Sequence, residues 1–113
     1  MRRYGKVIAL HDDKVEEYLK LHRNVWIPVD EMKRLCHLHN FTIFVKQLPD
    51  GKHYLFLYFE YVGSNYAVDM ARMAADPVTQ QWWKLTEPCQ ERLPGTPEGE
   101  WWADMEEVCH YDG

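Results

Sequence analysis

No apolar run in this 113-residue chain approaches the ~18 residues that a membrane-spanning helix needs. The opening MRRYGKVIAL meets charge again at HDDK before the apolar region of a secretory signal could build up, so neither a span nor a leader is expected. Cysteine is scarce. Cys36, Cys89 and Cys109 are odd in number, widely spaced and form no C-x-x-C pair, which argues against a disulfide framework and for a reducing, cytoplasmic setting. Positive charge is also short. Thirteen Lys and Arg against eighteen Asp and Glu leave a formal net charge of -5, so the basic surface that a phosphate backbone requires is missing and nucleic acid is not an expected partner. There is no G-x-G-x-x-G, no P-loop and no G-x-S-x-G elbow. Nucleotide cofactors and nucleophilic catalysis are therefore not indicated. His37 and His39 stand close together, yet no further carboxylate or thiolate joins them at a typical ligand spacing, and no metal is expected.

What the chain does have is an ordinary globular balance, 46% hydrophobic and 27% charged, which supports one core and hence a single domain over residues 1–113. It is rich in aromatic residues, with five Trp and seven Tyr. Such rings line pockets or fill subunit interfaces, and composition alone does not choose between these uses.

The pattern of residues predicts an α+β order. Arg3 to His11 ends in Val7-Ile8-Ala9-Leu10 and reads as a strand. Asp12 or Asp13 then suits a helix N-terminus, Asp13 and Glu16 have capping-box spacing, and Val15, Tyr18, Leu19 and His22 follow at i, i+3, i+4 and i+7. Pro28 suits the first turn of a second helix, with Val29, Met32, Leu35 and Cys36 on one stripe. Phe41–Lys46 and Tyr54–Tyr61, joined by QLPDGK, predict a hairpin. NYAVDMARMAA and VTQQWWKLTEP predict two more helices, ERLPGTPEGE a long loop, and Trp101–Tyr111 a last strand. This is the β-α-β-β-α-β plan of a ferredoxin-like domain, an antiparallel four-stranded sheet with helices on one face. Tyr54, Phe56 and Tyr58 alternate with Leu55, Leu57 and Phe59, so both faces of that strand are apolar. One helical layer covers one face, and a second copy of the chain is the expected cover for the other, giving a homodimer.

His22 is the sharpest candidate for chemistry because imidazole exchanges protons near neutral pH, and Tyr18 lies one helical turn before it on the same face. On spacing alone, the pair reads first as buried side chains satisfied by backbone carbonyls. Trp82 and Trp83 are adjacent on a helix and diverge by about 100°. Val78, Trp82 and Leu85 share a stripe, which makes Trp82 the core residue and leaves Trp83 toward an edge. Trp101 and Trp102 at the start of a strand would point to opposite faces and pack in core or interface. Glu98, Glu100, Asp104, Glu106 and Glu107 read as a solvated face.

EEYLKLH with VWIP, HNFTIF, QQWWK and MEEVCHYD, in this order and spacing, make the sequence resemble the L-rhamnose mutarotase family. The resemblance covers nearly the whole chain. It implies a ferredoxin-like dimer with its two sheets face to face, a dimeric α+β barrel in the cytoplasm, acting without a cofactor on a monosaccharide. It assigns proton donation to His22 and sugar contacts to Tyr18, Trp82 and Trp83. Where the family commonly reads HNY this chain reads HNF, so the contact position becomes Phe41 and a hydroxyl is lost. The implied activity is interconversion of the α and β anomers of L-rhamnose by acid/base ring opening and closure. Alternatives are a mutarotase for L-fucose or another 6-deoxyhexose, a small ferredoxin-like monooxygenase or haem-degrading protein, and a non-enzymatic binding module.

Overall fold

The computed structural model describes residues 1–113. A long strand, β1 (Arg2–Leu10), leads through a 3-10 turn (Asp12–Lys14) into α1 (Val15–His22) and α2 (Ile27–Leu35). The hairpin β2 (Leu38–Gln47) and β3 (His53–Tyr61) follows, then α3 (Tyr66–Ala75), α4 (Pro77–Thr86), a second 3-10 turn (Glu87–Cys89), and the short strands β4 (Gln90–Glu91) and β5 (Ala103–Met105). The sheet runs β2-β3-β1-β4, with β5 also on β1 and every pair antiparallel. That is the predicted α+β, ferredoxin-like order, with the sheet curled beneath four helices.

Local chemistry explains the joints. The turn of the hairpin closes through Gly51 N–H donating to the Leu48 carbonyl at 2.9 Å, with Gly51 at φ 88°, a conformation that favours glycine. Asn65 caps α3 by accepting from Val68 N–H, and Asp76 caps α4 by accepting from Thr79 N–H. Pro28 and Pro77 each occupy a first helical turn, where a missing N–H costs nothing.

Four expectations are corrected. The capping box at Asp13 and Glu16 does not form; the chain enters by the 3-10 turn, and α1 starts at Val15 with no side-chain cap. The stripe on α2 buries Val29 and Cys36 but leaves Leu35 40% exposed, because the helix touches α4 and β2 along a narrower line than four residues define. On α4 the buried residues are Thr79, Trp82 and Thr86, while Leu85 is exposed. Both threonines bury their methyls because their hydroxyls are satisfied locally, by Asp76 Oδ2 and by the Trp83 carbonyl. Finally, the last strand is only Ala103–Met105. The edge of β1 is shared, Ala9 and Leu10 pairing with β4 and Gly5 to Val7 with β5, and beyond Met105 the chain leaves the ladder, with Glu107 held to Arg3 by side chains alone.

Alternation on β3 is strict. Leu55, Leu57, Phe59 and Tyr61 are buried under the helices, whereas Tyr54, Phe56, Tyr58 and Glu60 on the opposite face are partly exposed. The helix-facing side carries two separate cores. One joins Cys36, Leu38, Leu57, Phe59, Tyr61 and Met73, and the other Ile8, Leu10, Tyr18, Leu55 and Cys89. Ile43 and Trp102 touch both.

At the far end of the first core, the Tyr61 hydroxyl donates to Asp69 Oδ2 at 2.5 Å and accepts from Asn65 N–H at 2.9 Å, and His37 Nδ1 meets the same carboxylate oxygen at 2.9 Å. These bonds satisfy a buried carboxylate and hold it below the usual carboxylate range, the Tyr61 bond first and His37 next. Gly63 lies against this knot: a Cβ there would fall on the Tyr61 hydroxyl and within 2.8 Å of Asp69 Oδ2. Gly63→Ala is therefore expected to destabilise the fold by about 1–3 kcal/mol, and an unchanged denaturation midpoint would contradict the described packing.

Candidate active site

Between the two cores, the helix-facing side of the sheet is not filled. A cavity of about 310 Å³ remains, floored by Leu57 and Phe59 and walled by Tyr18 and His22 from α1, Phe41 from β2, and Trp82 and Trp83 from α4. Trp101 and Trp102 close it from the loop that precedes β5. All five residues singled out from the sequence, Tyr18, His22, Phe41, Trp82 and Trp83, thus share one wall system.

Each is placed by a local device. Tyr18 and His22 are one turn apart, and their rings stack at 4.1 Å between centroids. Trp82 meets the His22 ring edge-on at 5.3 Å and Trp26 at 5.1 Å, so the indole both packs as core, 5% exposed, and borders the imidazole. Trp83, only partly buried, lines the same cavity. Phe41 owes its position to a bulge. The pairing of β2 with β3 shifts between His39 and Thr42, Asn40 adopts φ 53° and bonds Glu60, and Phe41 is turned onto Phe59 with ring centroids 6.0 Å apart. Asparagine tolerates that left-handed conformation well. The Lys33 ammonium, paired with Asp30 at 3.1 Å, sits 4.1 Å from the Phe41 ring centre.

The electrostatics follow from burial. His22 Nδ1 lies 3.0 Å from the Tyr18 carbonyl oxygen, which can only accept, so Nδ1 carries the proton and the lone pair of the neutral ring is on Nε2. Burial lowers the His22 pKa below its ordinary value; the carbonyl bond opposes this shift and Lys33 adds to it. Burial also raises Tyr18 well above the phenol range and keeps it protonated. At neutral pH the cavity therefore presents a neutral imidazole beside a neutral hydroxyl, a proton acceptor next to a proton donor.

Trp101, Trp102 and Gln90 are the site residues that the sequence reading misplaced or missed. Trp101 and Trp102 do not alternate as strand residues, because the chain bends there and both rings line the cavity. Gln90, 5% exposed, reaches the Tyr18 hydroxyl from β4, a two-residue strand too short to leave a periodic signal.

An aromatic-walled cavity with one imidazole and one phenol, built on a ferredoxin-like sheet, places the chain among small α+β proteins whose site is suited to proton transfer on an uncharged ligand. The comparisons with known proteins give the particular family. The family model for L-rhamnose mutarotase matches residues 3–111. An L-rhamnose mutarotase of Oceanobacillus iheyensis is 28% identical over 99% of this chain and all of its own length, and one of Bacillus subtilis is 31% identical over 78% of this chain and 79% of its own. The crystal structure of an L-rhamnose mutarotase from Formosa agariphila superposes with a TM-score of 0.72 at 16% identity, covering 99% of this chain and all of that one. The chain belongs to the L-rhamnose mutarotase family, isomerases that interconvert the anomers of a carbohydrate.

The two adjacent indoles should separate by measurement. Trp82→Ala is expected to cost about 3–5 kcal/mol of stability by opening the core, while Trp83→Ala should chiefly weaken sugar binding, read by titration with L-rhamnose. Equal stability losses in the two variants would show that both rings serve the core.

Proposed function

We propose that this chain is an L-rhamnose mutarotase in which His22 moves the proton and Tyr18, Phe41, Trp82 and Trp83 hold the sugar. The observation that carries the reading is the adjacency of an uncharged acceptor, His22 Nε2, and a protonated hydroxyl, Tyr18, on one wall of the cavity. Mutarotation needs just such a pair. In ring opening, Nε2 takes the proton of the anomeric hydroxyl, the bond between C1 and the ring oxygen breaks, and the ring oxygen takes a proton from Tyr18 or a water it holds. The free aldehyde turns about the C1–C2 bond. In closure the former ring hydroxyl attacks the other face and gives its proton back to that donor, while the imidazolium protonates the new anomeric oxygen. His22 is thus the acceptor of the first half and the donor of the second, and no covalent intermediate is involved.

The flat indoles of Trp82 and Trp83 suit the apolar C–H faces of a 6-deoxy sugar, and Phe41 adds a third apolar surface in place of a hydroxyl. The opposite face of the sheet supports a homodimer. There Phe44, 63% exposed, stands directly across from Phe56, next to the Thr42–Tyr58 and Lys46–Tyr54 pairs, as an exposed, ring-rich strip on the side away from the helices. No helix of the chain is long and apolar enough to cross a membrane, and the reading includes a cytoplasmic location. Sedimentation at micromolar concentration should show a dimer, and a monomer there would remove this part of the reading.

The activity test is exchange NMR on α- and β-L-rhamnose with and without protein. The protein should accelerate exchange; binding without acceleration would indicate a mere ligand carrier. His22→Ala should lower the catalysed rate by about 10² or more while leaving the fold intact. Since burial holds the His22 pKa below about 6.5, the wild-type rate should be flat above neutrality and fall as acid charges the ring. A catalysed rate that rises on acidification would mean that His22 starts as the acid.

A further inference from the structure

The loop between β4 and β5 does more than close the cavity. Arg92 organises it by donating to three of its carbonyls, Thr96 at 2.6 Å, Pro97 at 2.5 Å and Glu100 at 2.7 Å. Trp101 is the next residue along the chain, and its indole N–H donates to Gln90 Oε1 at 2.6 Å. An indole N–H has no acceptor capacity, so the oxygen of the Gln90 amide must face Trp101 and the nitrogen must face away. That nitrogen lies 3.5 Å from the Tyr18 hydroxyl oxygen, and an amide NH₂ can only donate. The Tyr18 oxygen therefore accepts from Gln90, and its own proton is left for the cavity. On the adjacent ring, the Tyr18 carbonyl fixes His22 with its proton on Nδ1 and its lone pair on Nε2.

We propose that Gln90 and Trp101 are positioning residues that set the polarity of the site, holding Tyr18 as a hydrogen-bond donor toward the sugar opposite His22 as the acceptor. The inference rests on the mutarotase reading and deepens it. Every link in the chain from Trp101 to Gln90 to Tyr18 has a single allowed direction, because the indole N–H and the amide NH₂ that make the links only donate. The loop thereby connects a surface segment to the orientation of one buried proton.

Gln90→Glu tests this with almost no change of shape. A carboxylate accepts from both sides, so it keeps the Trp101 bond and draws the Tyr18 proton toward itself, reversing the polarity. The kcat for L-rhamnose exchange should fall about tenfold or more, with the melting temperature close to wild type. The ratio of variant to wild-type rate should recover as acid protonates Glu and restores a donor, a response that packing damage would not give. In a Tyr18→Phe background, Gln90→Glu should cause no further loss, because the group through which it acts is gone. Trp101→Phe, which keeps a ring but removes the N–H, should lower kcat several-fold in wild type and not in Tyr18→Phe, and it carries the test if Gln90→Glu fails to fold. Unchanged kcat in the folded variants, or equal losses with and without the Tyr18 hydroxyl, would overturn the proposal while leaving the mutarotase reading intact. A wild-type protein that accelerates no exchange would overturn that reading and the proposal with it.

Discussion

The shared edge of β1 is the constraint on which the site depends. Ala9 and Leu10 pair with β4, Gly5 to Val7 pair with β5, and the eleven residues from Arg92 to Trp102 must leave the sheet and return within that one edge. A continuous edge strand would have sent these residues along β1 and left the helix-facing cavity open. Interrupting the ladder gives up a few backbone bonds but allows Trp101 and Trp102 to be laid over the cavity. The freed carbonyls of the loop find a partner in Arg92 instead of in the sheet. Trp102 touches both cores, so the return of the chain also ties the two halves of the interior together.

The placement of two cores at opposite ends of the same sheet face explains why so aromatic a chain retains a cavity at all. Helices α1 and the turn after α4 press on Ile8, Leu10 and Leu55, whereas α2 and α3 press on Leu57, Phe59 and Tyr61. The space between the two cores stays open and is lined largely by aromatic rings. Trp82 shows the economy of this arrangement, since one indole packs against Trp26 on one side and the His22 ring on the other.

The parts of the fold with a strong local period were legible from the residues: β1, the hairpin, the four helices and their order. The Tyr18 and His22 pair was legible as well, because four-residue spacing on a short helix fixes a shared face whatever lies opposite. What escaped was chemistry that depends on distant partners. Thr79 and Thr86 are buried only because Asp76 and a backbone carbonyl satisfy them, and Leu85 is exposed because they take its place. Gln90 lies in a strand of two residues, and the roles of Trp101 and Trp102 follow from a bend rather than a repeat. Asn40 carries a visible preference for left-handed backbone, but only its partner strand shows that this makes a bulge and turns Phe41 into the site.

Burial acts on the two titratable groups of the cavity wall in opposite directions along the pH scale and with a single effect. It lowers the imidazole of His22 and raises the phenol of Tyr18, because in both cases it is the charged form that is penalised. The resting pair is therefore neutral, and a neutral sugar can enter without displacing or uncovering an ion. The nearby Lys33 ammonium, over the Phe41 ring and paired with Asp30, works in the same direction by disfavouring the charged imidazole. In the proposed reaction the imidazole would become charged only when it takes the proton of the anomeric hydroxyl on Nε2, and the imidazolium would keep its Nδ1–H on the Tyr18 carbonyl, the contact that favours the charged ring. On that proposal, a bond that merely fixes the tautomer in the resting state would become stabilising in the step where it is needed, which is the condition for accelerating a reaction rather than only binding its substrate.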